Sequence, residues 1–164
     1  MKTDQGFFGI ALYRPKTHHN YGSLLRTAQV LGANHIAMIG TRFHKQSSDT
    51  FQAEQSLPIF EYDCFDNFYR QLPRGTMLIA VEQTEGAVDL AAFEHPPRAV
   101  YLFGAEDIGL PPDIIKRCHR VLSLQGDRSL NLAVAGSIVI YHRQALQTRR
   151  HPYHTRRDGA DPGE

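Results

Sequence analysis

Three short stretches carry polar and glycine residues in patterns that packing alone does not require: Asn20-Tyr-Gly-Ser-Leu-Leu-Arg26, Phe103-Gly-Ala-Glu-Asp-Ile-Gly-Leu110 and Ser129-Leu-Asn-Leu-Ala-Val-Ala-Gly136. In the first, Asn20 is a helix-capping type and Gly22 allows close approach of a backbone or ligand. Arg26 follows about one turn later, with a planar fork suited to phosphate oxygens. In the second, Gly104 ends an apolar run and Glu106 lies between Gly104 and Gly109. In the third, Ser129, Leu130 and Asn131 follow the polar bend Leu124-Gln-Gly-Asp-Arg-Ser, whose main-chain groups could meet an adenine-like ring. Singly these are a solvated arginine, a turn glycine and a helix cap. Jointly they describe one polar pocket.

Other chemistries lack their residues. No GxSxG elbow or papain-like cysteine context offers a nucleophile, and neither HExxH nor paired histidine spacing offers a metal site. Neither GxGxxG nor GxxxxGK occurs, so a Rossmann dinucleotide site has no support. No metal is expected.

The elements that must position the three stretches alternate between short apolar runs and helical patterns, the mark of an α/β fold with a mostly parallel sheet flanked by helices. Strands are expected at Phe7 to Leu12, His35 to Ile39, Ile59 to Tyr62, Met77 to Val81, Ala99 to Phe103 and Val121 to Leu124. Helices fit Gly22 to Leu31, Phe65 to Gln71, Pro111 to Arg117 and Leu132 to Gln147. In the last, Leu132, Ala135, Gly136, Val139, Ile140 and Leu146 share an apolar stripe behind an Asn131 cap. Thr41 to Gln55 reads as a surface loop. Each stretch therefore falls at a strand end or a helix start, where α/β proteins bind ligands.

With 164 residues and 41% hydrophobic content, the chain supports one domain, residues 1–149, followed by a basic tail, 150–164, too poor in apolar residues to pack. From His142 to Arg157 there are five arginines, three histidines and no acid, which reads either as a solvated tail or as a nucleic-acid contact although the net charge is only +1. Cys64 and Cys118 have neither zinc-ligand nor disulfide spacing. With no signal-like start and no membrane-length apolar run, a cytoplasmic protein without a membrane partner is expected.

Taken in order, the three stretches resemble the three motifs of the SpoU-type (TrmH-like) branch of the SPOUT RNA methyltransferases, over about Phe8 to Gln147. Asn20, Gly22 and Arg26 match the first motif, Gly104, Glu106, Gly109 and Leu110 the second, and Ser129, Leu130 and Asn131 the third. The resemblance implies a SPOUT fold with a C-terminal trefoil knot, S-adenosyl-L-methionine as methyl donor, and a homodimer whose subunits both contribute to the site. It implies that Val81, Gly104, Leu122, Leu124, Ser129 and Leu130 line the donor pocket. Arg26 would act at the target ribose, with Asn20, Glu106 and Asn131 shaping its surroundings. Where the family commonly has proline before motif three, this chain has Ser123.

The expected reaction is methyl transfer to a ribose 2′-hydroxyl of RNA. The resemblance implies no separate N-terminal RNA-binding domain, as in minimal members that act on tRNA, so tRNA is the expected substrate and rRNA the alternative. A non-catalytic RNA-binding protein retaining the fold, or a nucleotide-binding protein with no RNA role, are the competing classes.

Overall fold

Aliphatic and aromatic runs too short for helices, bounded by glycine, proline and polar residues, become strands. The computed structural model describes residues 6–16, 18–42, 57–126 and 128–150, excluding the side chains of 18–20 and 148–150. Within them lie β1 (Phe7–Tyr13), α1 (His18–Val30), β2 (His35–Ile39), β3 (Ile59–Tyr62), α2 (Phe65–Arg70) and β4 (Met77–Val81). These are followed by β5 (Val88–Asp89), β6 (Arg98–Phe103), α3 (Pro112–Ile115), β7 (Arg120–Ser123) and α4 (Leu132–Arg150).

The seven strands pair in the order β3-β2-β1-β6-β4-β7-β5, and every pairing is parallel. A parallel sheet carries helices on both faces, so its strands bury both sets of side chains. Alternation sorts them: Ile10, Leu12, Ile79, Tyr101 and Phe103 face α1 and α4, whereas Ala11, Leu78, Ala80, Val100 and Leu102 face α2 and α3. From β4 the chain runs outward to β5, returns past β4 to β6, and comes back as β7 in the gap between β4 and β5.

Helix α1 begins at His18, four residues before the expected start, because Tyr21 belongs to its buried stripe with Leu24, Leu25 and Ala28. Asn20 is consequently inside the first turn and not at the cap position. Helix α4 does begin behind an asparagine cap: the Asn131 side chain accepts from the Ala133 N–H at 2.9 Å and the Val134 N–H at 3.4 Å. The two helices cross closely at Gly136, where a Cβ would overlap the Leu24 methyls. Truncating Leu24 to alanine there would cost about 3 kcal/mol.

Arg143 corrects the reading of a solvated basic tail that starts at His142. It is fully buried beneath α4, donating to the carbonyls of Pro96 at 2.7 Å and Pro97 at 3.0 Å and to the Tyr101 hydroxyl at 3.2 Å. His142 is also drawn inward, its Nδ1 lying 2.8 Å from His95 Nε2. Helix α4 extends to Arg150, so the His142 to Arg150 part of the basic stretch is helical. Residues 151–164 lie outside the described residues, as does most of the expected Thr41 to Gln55 loop.

Candidate active site

Register brings distant segments together. Val81 is opposite Phe103 on one side and Leu122 on the other, so the loops leaving β6, β4 and β7 emerge side by side at the carboxyl edge of the sheet. They enclose a cavity of about 270 Å³ whose walls include Val81, Gly104, Glu106, Leu124, Ser129 and Leu130. Leu132 and Ala135, on the first turn of α4, close its inner side.

The loop after β6 can fold so tightly only with glycine at two positions. A Cβ on Gly104 would overlap the backbone of Gly109 and Leu110, and Gly109, at φ +65°, leaves space filled by the Glu82 carboxylate. That carboxylate accepts from the Leu110 N–H at 2.9 Å, tying the loop to the end of β4. The next residue ties the other wall: the Gln83 side-chain amide donates to the carbonyls of Leu124 at 3.1 Å and Gly126 at 3.4 Å. Glu82 and Gln83 also line the cavity, and the sequence reading missed both. Their signal was present, as two polar residues directly after a strand already expected to supply Val81.

Lys16, between β1 and α1, contacts two residues of the cavity wall. The Lys16 N–H donates to Glu106 at 3.1 Å, and its ammonium pairs with Asp107. That hydrogen bond from Lys16 is the main cause holding the Asp107 carboxyl below the usual carboxylate range.

Several expected site residues lie elsewhere. Leu122 is fully buried beneath the cavity, and its carbonyl accepts from the Glu82 N–H at 3.0 Å. Asn131 caps α4 outside the lining. Arg26 projects from the exposed side of α1 and does not line the cavity of its own chain. Asn20 is in α1, and its side chain lies outside the described residues.

The fold and these loops have relatives. A family model described as the SpoU rRNA Methylase family matches residues 8–141. The chain belongs to that family. It is 33% identical over 140 residues to the mouse (Mus musculus) tRNA (guanosine(18)-2'-O)-methyltransferase TARBP1, an alignment covering 77% of this chain and 9% of that protein. The chain thus spans only a small part of this curated relative. A solved structure described by the 2-OH methylation of C/U34 on tRNA is 28% identical, with a TM-score of 0.77 and coverage of 89% of this chain and 99% of that one. The AdoMet-bound rRNA methyltransferase from Sinorhizobium meliloti is 27% identical, with a TM-score of 0.74 and coverage of 91% and 58%.

Proposed function

We propose that this SpoU-family chain transfers a methyl group from S-adenosyl-L-methionine to a ribose 2′-hydroxyl of RNA, with tRNA as the substrate. The observation carrying this reading is the convergence of the Gly104 to Gly109 loop with Leu124, Ser129 and Leu130 on one cavity. Glycine at 104 and 109 keeps the loop folded on itself with no side chain in the bend, which leaves the cavity open to a donor. Glu82 and Glu106 supply carboxylates in the lining, which suits a cationic ligand.

The bound donor supplies an already activated sulfonium methyl, which leaves alignment and removal of one proton to the protein. Val81, Gly104, Leu124, Ser129 and Leu130 would hold the donor, with the buried Leu122 supporting them from below. Glu106, Asn20 and Asn131 would shape the approach of the nucleotide. Arg26 would grip the target phosphate and ribose and stabilise developing alkoxide charge; a guanidinium stays protonated and is poorly suited to abstract the proton itself.

The position of Arg26 outside its own cavity supports a homodimer in which a second copy supplies it. Helix α4 offers a matching surface, because Val134, Ile138 and Tyr141 form an exposed apolar row beyond Leu130. The return of β7 into the gap between β4 and β5 supports the C-terminal knot. The tRNA methyltransferase and the tRNA-methylation structure among the relatives support that substrate. Two unpaired thiols, Cys64 and Cys118, support a reducing, cytoplasmic location.

The test is methyl transfer from labelled donor to bulk tRNA, followed by nucleoside mapping, with Arg26→Ala alongside. Label recovered on ribose with wild type, and at least about 100-fold less with the variant, is expected. Label on a base, or equal turnover by the two proteins, would refute the reading.

A further inference from the structure

Arg14 has a costly backbone and a site built around its side chain. It follows β1 directly and has φ +49°, the only positive φ at a non-glycine residue among the described residues. An L-residue adopts that conformation at a cost unless the surroundings impose it. Here they do so from both sides. The Arg14 N–H donates to the Ile39 carbonyl at 2.8 Å, which continues the β1–β2 pairing through the bend, and Pro15 behind it is buried.

The side chain then crosses the end of β2 over Gly40. A Cβ on Gly40 would lie 2.9 Å from Arg14 Cγ and 3.1 Å from its Nε, so the arginine stem passes directly over this residue, whose own φ of +71° already favours glycine. The guanidinium carbon sits 5.4 Å from the centre of the half-buried Tyr13 ring, and the residue as a whole is exposed. An arginine serving only solubility needs no strained backbone.

The place of this cation gives its use. Two residues on, Lys16 binds Glu106 and Asp107, which line the cavity, so the chain that carries Arg14 runs on to the cavity wall. Arg42, also exposed, follows Gly40 at the same edge. We infer that Arg14 is a substrate-positioning residue that holds a backbone phosphate of the RNA beside the target nucleotide. This rests on the RNA methyltransferase reading above. A planar guanidinium can engage two phosphate oxygens, and phosphate contacts of this kind set register without reading bases.

Glycine at position 14 separates this role from a structural one, because it removes the side chain and also relieves the backbone. The full chain would be compared as wild type, Arg14→Gly and Arg14→Lys. The readouts are bulk tRNA binding across a salt series, methyl-transfer kinetics, calorimetry with S-adenosylhomocysteine, and Tm. For Arg14→Gly, tRNA affinity should fall about ten-fold and the salt slope by about one. Its KM for tRNA should rise while kcat, S-adenosylhomocysteine affinity and Tm hold or, for Tm, increase. Arg14→Lys should recover part of the loss. Unchanged tRNA affinity in Arg14→Gly, or a loss that comes with weaker S-adenosylhomocysteine binding and lower Tm, would overturn the assignment alone. A wild-type chain that binds no tRNA would overturn it together with the reading on which it rests.

Discussion

The Glu82 carboxylate accepts the Leu110 N–H at 2.9 Å and so fixes the distance between the end of β4 and the loop that walls the cavity. Charge-assisted bonds to a backbone N–H are among the stronger ones, contributing about 1.5–3 kcal/mol. Glu82→Ala should therefore weaken S-adenosylhomocysteine binding about ten-fold by calorimetry. Glu82→Gln, whose amide oxygen can still accept, should recover most of it. Equal affinities in all three proteins would remove Glu82 from the wall.

Gly104 is restricted by backbone and not by a movable side chain. A Cβ there meets the Gly109 carbonyl group and the Leu110 nitrogen, so Gly104→Ala must open the loop. Overpacking of this kind costs about 1–3 kcal/mol. The expected result is a lower Tm with donor binding lost, measured by thermal melts with and without S-adenosylhomocysteine. A ligand-induced Tm shift as large as that of wild type would contradict the crowding.

A different cluster governs the response to acid. Arg143 can only donate, so the Tyr101 oxygen accepts from it and the Tyr101 hydroxyl points to His95 Nδ1, leaving His95 Nε2–H to donate to His142. Burial, helped by the charges of His142 and Arg143, pushes the His95 pKa down to about 3, and burial pushes the Tyr101 hydroxyl up to about 12. Between pH 3 and 6.5 the unfolded chain binds a proton at His95 that the folded chain refuses. The stability contribution is thus complete above pH 6.5 and declines as pH falls toward 3. A slope of roughly 1 kcal/mol per pH unit is expected, below the ~1.4 of a whole proton because the ring keeps a small solvent-facing edge. Urea unfolding at several pH values should show it, and His95→Gln should flatten it. An equally steep slope in His95→Gln would assign the acid sensitivity to other groups.

Most of the fold was legible because the strand signal was local. His35 to Ile39, Ile59 to Tyr62 and Met77 to Val81 are strands with the expected bounds, each a short, mostly apolar stretch bounded by turn residues or charge. Strand β5, two residues long, has no periodicity to read. Tyr21 was passed over because a phenol beside histidines and asparagine reads as polar, yet it is buried against the sheet. Arg143 was misread for the opposite reason: its charge pointed outward, but the carbonyls of Pro96 and Pro97, which no local pattern links to α4, hold it inside. Motif chemistry located the cavity walls at Gly104, Glu106, Ser129 and Leu130. It did not find Glu82 and Gln83, whose role comes from register across β4, β6 and β7.

The central claim is that one cavity holds the methyl donor and a second copy of the chain brings Arg26 to it. A crystal structure of the full chain with S-adenosylhomocysteine tests both halves at once. The account predicts the ligand between the Gly104 to Gly109 loop and the Leu124 to Leu130 segment, with the guanidinium of Arg26 from a neighbouring copy facing its sulfur. Ligand bound elsewhere, or a filled cavity that Arg26 of neither copy approaches, would contradict it.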